Sequence, residues 1–169
     1  MKHIILALIL GLFSFKTFAQ DIELTPEGFK SVVLNIEGKT AQEIYKKSLN
    51  FVQEYYKNPD KVLKANIENE KIRIEGYGEY VFYLKILGKR YYSTWYTIEI
   101  EFKDNKARFT FSANKFTPDD AVSVYLSDFY KKDGSLKNLY KTAKLDLEKF
   151  TNKIKDHYHK YLTGKKGDW

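Results

Sequence analysis

Residues Lys71 to Ala113 read KIRIEGYGEYVFYLKILGKRYYSTWYTIEIEFKDNKARFTFSA, and their alternation decides the fold. Isoleucine, phenylalanine, tyrosine and tryptophan alternate with charged or polar residues, and turn residues interrupt the run. That pattern predicts an antiparallel meander with one buried face, running from Val62 to Phe116. Lys103-Asp104-Asn105-Lys106 predicts a two-residue hairpin loop with Asp104 and Asn105 at positive φ. Phe102 then faces Ala107, Ile100 faces Phe109 and Ile98 faces Phe111, so the apolar residues share one side. Glu68-Asn69-Glu70-Lys71 predicts a second hairpin, with Ile67 opposite Ile72, Ala65 opposite Ile74 and Leu63 opposite Gly76. A third, with a loop from Leu87 to Lys89 around Gly88, pairs Leu84 with Tyr92, Phe82 with Thr94 and Tyr80 with Tyr96. Gly76 and Gly78 then lie opposite Ile100 and Ile98 and leave room for something packed on that face.

Before the meander, Ser31 to Ile36 reads as a strand after a polar lead-in from Asp21 to Lys30. Thr40-Ala41-Gln42-Glu43 is a capping box opening a helix to about Lys57, where Asn58-Pro59-Asp60 stops it. Its apolar stripe includes Ile44, Tyr45, Phe51 and Val52. After the meander, Ala121 to Tyr130 is ambiguous between a helical turn and a short strand. Ser135 predicts the N-cap of a last helix reaching about Leu162. Its stripe runs through Leu136, Leu139, Tyr140, Ala143, Leu147, Phe150, Ile154, Tyr158 and Tyr161. The basic residues Lys137, Lys141, Lys144, Lys153, Lys155 and Lys160 fall off that stripe, and Thr163 to Trp169 reads as a frayed tail.

Met1 to Ala19 has the organisation of an export signal. Lys2 and His3 form the basic start, Ile4 to Phe13 the short apolar run, and Thr17-Phe18-Ala19 the cleavage site. The competing reading is an uncleaved anchor. No cysteine follows the site, so a lipoprotein is excluded, and a periplasmic or extracellular location is expected. Removal leaves residues 20–169, long enough for one domain. The net charge of +7 falls to +5 without Lys2 and Lys16, a mild excess on a chain that is 30% charged. With no cysteine, stability must come from packing, and aromatics make up 17% of residues.

Gly38-Lys39-Thr40 entering a tyrosine-rich helix, the Ile67 to Ile74 hairpin, and Trp95 to Phe111 resemble an exported bacterial domain family of unknown function. That family is described as having a TATA-binding-protein-like fold. The resemblance covers roughly Val33 to Phe116 and implies an α+β fold. Its order is strand, helix, four strands, helix, with a curved antiparallel sheet and both helices on one face. Residues 31–116 form the family-like core and 117–169 an extension. The resemblance implies no catalytic residues, since the family has none assigned.

The residues themselves narrow the chemistry. His157 and His159 sit two apart on a helix and point about 200° away from each other, so they cannot chelate one ion together. Neither a metal site nor a cofactor is expected. No histidine or cysteine in the meander offers a base or nucleophile. Glu75 is expected opposite Glu101, with Glu99 nearby, and two adjacent carboxylates can split their pKa values for acid–base work. The same register places Lys64 beside Glu75 and Arg108 beside Glu101, which makes an ordinary ion ladder the stronger reading. Nucleic acid is excluded, because the open face mixes Arg73, Glu75, Glu99, Glu101, Arg108 and Thr110 instead of offering wedges and cations.

The remaining feature is aromatic. Val81, Tyr83, Tyr91 and Trp95 are expected on the open face near the Gly88 hairpin, and Tyr80, Phe82, Tyr92 and Tyr96 on the helix face. Tyr83, Tyr91 and Trp95 are the candidate binding residues. Against this, Ala121 to Tyr130 would bury them if Val122, Val124, Leu126 and Phe129 folded across. Two functions stay open: a non-catalytic envelope module that binds a protein or glycan, and a carboxylate-dependent hydrolase acting on envelope material.

Overall fold

The computed structural model describes residues 20–86, 88–119 and 122–164. The expected export signal, Met1 to Ala19, lies outside the described residues, as does most of the tail. Strands β1 (Leu24–Thr25) and β2 (Gly28–Phe29) form a small hairpin ahead of β3 (Val32–Asn35). Helix α1 (Ala41–Tyr55) and the short α2 (Pro59–Val62) lead into β4 (Leu63–Ile67), β5 (Lys71–Lys85), β6 (Lys89–Lys103) and β7 (Lys106–Ser112). The five long-range strands form one antiparallel sheet in the order β3-β7-β6-β5-β4. Two short strands, β8 (Lys115–Phe116) and β9 (Val124–Tyr125), pair with each other, and α3 (Lys141–Thr163) ends the described chain. The class is α+β, as expected.

Both long helices pack on one face of the sheet. Ile72, Ile74, Ile98, Ile100, Phe109 and Phe111 are buried there. Tyr45 of α1 meets Phe102 edge-on, and Tyr158 and Phe150 of α3 meet Phe109 and Phe111. Each such side chain contributes roughly 1.5–3 kcal/mol by leaving water. The helices join through Ser48 and Tyr158, whose hydroxyls lie 2.7 Å apart with neither exposed. That bond satisfies two polar groups that would otherwise be costly to bury.

The three hairpins differ in how closely they follow the expected register. The β6–β7 pairing is as read: Phe102 with Ala107, Ile100 with Phe109, Ile98 with Phe111. Only Asn105 of its loop has positive φ, at 63°, so Asp104 departs from the expected mirror turn. The reason is tertiary. Asp104 Oδ1 accepts from the Ala41 amide at the start of α1 (2.8 Å) and Asn105 Oδ1 accepts from the Gly38 amide (2.8 Å). The Asn105 amide donates to the Lys39 carbonyl. The Gly38-Lys39-Thr40 segment thus clasps the far hairpin while Thr40 and Glu43 complete their capping box.

The β4–β5 register is one residue off. Asn66, not Ile67, lies opposite Ile72, and a bulge between Leu63 and Ala65 brings Leu63 opposite Ile74. Asn66 can occupy the helix side because its side-chain Oδ1 accepts from the Tyr45 hydroxyl at 2.8 Å. Ile67 is left exposed.

The β5–β6 loop is also displaced: Lys85 pairs with Lys89, Leu84 with Arg90 and Phe82 with Tyr92. Between Gly78–Thr94 and Phe82–Tyr92, three residues of β5 oppose Ser93 alone. Tyr80 sits in this bulge at φ 51°, and its amide donates to Ser93 Oγ at 3.1 Å. The bulge reverses two expectations. Val81 turns inward to 6% exposure and Tyr80 turns outward to 57%. Gly76 and Gly78 lie opposite Tyr96 and Thr94, not Ile100 and Ile98. The room they leave is occupied: a Cβ on Gly76 would collide with the Tyr96 ring, and one on Gly78 would sit 2.8 Å from Phe150 of α3.

Helix α3 starts five residues later than Ser135 suggested, with Tyr140 as its N-cap. Asp133 captures both the amide and the hydroxyl of Ser135, and a 3-10 turn at Asn138–Tyr140 precedes the helix. Leu139 consequently faces solvent. Lys155, expected among the solvated cations, is fully buried, because the lead-in docks on α3 beside it. Lys155 Nζ bonds Asp21 at 2.9 Å and the Gln20 carbonyl at 3.2 Å, and pairs with Asp156 at 3.1 Å. Asn152 clasps both backbone groups of Ile22, and the Leu24 amide donates to Glu148. Ile22 and Leu24 are thereby buried, so the polar lead-in carries core residues.

Candidate functional site

The open sheet face has two halves. In one, every carboxylate has a cation. Lys64 meets Glu75 at 3.3 Å and Arg108 meets Glu101 at 2.9 Å, as the ladder reading expected. Glu99 accepts two bonds from Arg73 and lies 3.5 Å from Lys71. The Arg73 guanidinium, helped by Lys71, holds its carboxyl below the usual range. Glu75 does not lie opposite Glu101. It pairs with Thr97, and Glu101 pairs with Lys71, four residues away or about 13 Å along the strand. The displaced β5–β6 loop and the bulge after Gly78 each shift the pairing by two residues, and together they separate the two carboxylates.

The other half is aromatic. Trp95 is 64% exposed, Tyr77 51% and Tyr91 46%, and Tyr83 is half-buried beside them. Cross-strand pairing places Tyr77 against Trp95, with ring centroids 5.2 Å apart, and Tyr83 against Tyr91 at 5.8 Å. Tyr80 meets Tyr91 edge-on at 5.6 Å, because the bulge delivers it to this side. Lys89 Nζ stands 5.0 Å from the Tyr83 ring centre. Beside the hairpin tip, Tyr80, Ile86, Lys89, Arg90, Tyr91 and Asp119 border an open groove of about 710 Å³.

Residues 122–130 do not cover this surface. Phe129 goes to the helix side, meeting Phe82, Phe116 and Tyr140, with no exposure. Thr117, just past β8, meets β6 in an isolated bridge instead: Ser93 and Thr117 exchange backbone bonds at 3.0 and 2.8 Å. Val122 is 85% exposed. The three aromatic residues expected here are all on the open side. Tyr77 and Tyr80 belong to the same strip and were missed. Tyr77 was legible from strand parity with Tyr83, whereas Tyr80 depends on a bulge that no local pattern announces.

Elsewhere, His157 lies against Phe51 and Tyr55, and the His159 ring bonds the Asn35 carbonyl, so His159 is tethered and not simply solvated. Among the described residues, no group of three or more metal-ligating side chains converges. Among them, too, no helix is long and apolar enough to cross a membrane.

Residues 31–117 match the family model described as a domain of unknown function (DUF4468) with TBP-like fold. Two crystal structures are similar. One is a DUF4468 family protein from Bacteroides ovatus, with TM-score 0.62 and 15% identity, covering 85% of this chain and 90% of that one. The other is a TBP-like protein from Parabacteroides distasonis, with TM-score 0.60 and 14% identity, covering 79% and 90%. No curated protein matches the chain. The chain belongs to the DUF4468 family and has its TBP-like fold.

Proposed function

We propose that this DUF4468 family member is an exported, non-catalytic binding module of the bacterial envelope or its exterior. Its contact surface is the aromatic strip of Tyr77, Tyr83, Tyr91 and Trp95. One observation carries the reading. Large aromatic side chains stay exposed together on a face that neither helix nor residues 122–130 cover. Tyrosine and tryptophan offer large contact area for little lost conformational freedom, which favours them at interfaces. The ladder residues already hold partners and have less to gain. Support for export is the basic start, short apolar run and Thr17-Phe18-Ala19 site.

Co-sedimentation with bacterial envelope fragments tests the surface. Trp95→Ala should lower the retained fraction several-fold and change stability by less than about 0.5 kcal/mol, as for exposed sites. Glu75→Gln with Glu101→Gln should leave retention unchanged. Loss of retention in that double variant alone would move the site to the carboxylates. Mass spectrometry of the exported protein should find a chain beginning at Gln20. Intact Met1 in the membrane fraction would refute processing.

A further inference from the structure

The aromatic strip ends in two like charges. Lys85 and Lys89 are directly paired across the β5–β6 hairpin, and both are exposed. Like charges opposite one another destabilise a hairpin. Among the described residues, neither ammonium has a carboxylate within ion-pair distance. Lys89 rests over the Tyr83 ring instead. Lys103 and Lys106 face each other in the same way across the β6–β7 hairpin, but their open-face neighbours are the ion-paired Glu101 and Arg108, whereas those of Lys85 and Lys89 are the rings of Tyr83 and Tyr91. The strip runs from the ion-paired ladder, past Tyr77 and Trp95, then Tyr80, Tyr83 and Tyr91, to two lysines facing each other. From Trp95 to Lys89 it spans about 20 Å.

We infer that this strip binds an acidic polysaccharide, laid along the strands with a carboxylate or sulfate between Lys85 and Lys89. The inference rests on the binding-module reading and names the class of its partner. Charge complementarity sets the sign of the ligand, since an anion at the tip removes the Lys85–Lys89 repulsion. The carbohydrate assignment comes from which groups the surface offers. On a sheet face the backbone donors and acceptors are spent in the ladders, so an extended peptide finds no strand edge to join. What remains is ring faces in a row, against which the C–H faces of sugar rings stack. Tyr80 is held in this row by a backbone conformation that costs energy and is fixed by buried Ser93. Among the described residues, Glu79 in the bulge and Asp119 in the groove flank the strip without an ion pair to either lysine.

Affinity electrophoresis of the protein recovered after expression of the full chain tests this. The probes are polygalacturonic acid, its methyl ester and polyglutamate. Polygalacturonate should bind, more weakly as salt rises, and the other two should bind at least tenfold less well. Lys85→Ala with Lys89→Ala should reduce affinity roughly tenfold, the size of two screened charge contacts, and flatten the salt dependence. Trp95→Ala and Tyr80→Ala should reduce affinity and leave the salt dependence unchanged, which a merely structural role would not do. Equal binding of the ester, or of polyglutamate, overturns the inference. If no probe binds but Trp95→Ala still loses envelope retention, the acidic-glycan assignment fails and the binding module stands. If the unmodified protein is not retained on envelopes, the module reading fails first.

Discussion

The two ends of the open sheet face meet the cost of being uncovered in opposite ways. At the ladder end, charged side chains hold one another and remain solvated: Arg73 with Glu99, Arg108 with Glu101, Lys64 with Glu75. At the hairpin end, five aromatic rings stand together and three exceed 50% exposure. The ladder loses little by staying in water. The aromatic end keeps apolar surface wet where burial would be favourable, which is the usual mark of a surface that meets something else. The same two strands make both ends, so the difference lies in side chains and in one bulge, not in fold.

The comparison can be broken from beneath or along the surface. The largest effect should come from the face both ends share. Ile100→Ala removes a side chain that is 1% exposed and should cost about 2–5 kcal/mol in urea unfolding. A cost no larger than that of an open-face substitution would mean the faces are swapped.

Gly76→Ala comes next. Its methyl would meet the Tyr96 ring, which is stacked on Phe111 and edge-on to Phe150 and so cannot yield easily. An overpacking cost of about 1–3 kcal/mol is expected, read from the same urea midpoint shift.

Asp104→Ala tests the clasp between the β6–β7 hairpin and α1. It removes the acceptor for the Ala41 amide and a negative charge from a helix N-terminus, and should cost about 1 kcal/mol by thermal melting. Asp104→Asn should recover most of the loss, because the acceptor is kept.

Glu99→Gln should have the smallest effect, under about 1 kcal/mol. Its sign with pH is fixed by the Arg73 pairing. The folded carboxyl titrates below its ordinary value of 4.5, so its contribution is complete above that pH. It is lost as the pH falls through the lower folded value. The stability gap between the native protein and Glu99→Gln should therefore be constant at neutral pH and shrink below about pH 4.5. A gap that widens on acidification would place Glu99 outside the ion pair.

Much of this protein was legible in its residues because the signals involved are local. Alternation along Ile98 to Phe111, the Asp104-Asn105 turn and the Thr40–Glu43 capping box each involve neighbours in sequence, and each gave the right element. Strand parity also put Tyr83, Tyr91 and Trp95 on the open face. Tertiary contacts decided the rest. Tyr80 and Val81 exchanged sides because buried Ser93, itself bonded to Thr117 through its backbone, accepts from the Tyr80 amide within a three-residue bulge. Asn66 took a core-side position because Tyr45 reaches it from α1. Lys155 and the Ile22–Leu24 lead-in became interior because segments about 130 residues apart satisfy each other's polar groups. Residues 122–130 went to the helix side because Phe82, Phe116 and Tyr140 formed a pocket for Phe129 there. Periodicity assigns a residue to one side of its own element. It does not say which distant group will be waiting on that side, and that is what left the aromatic face open.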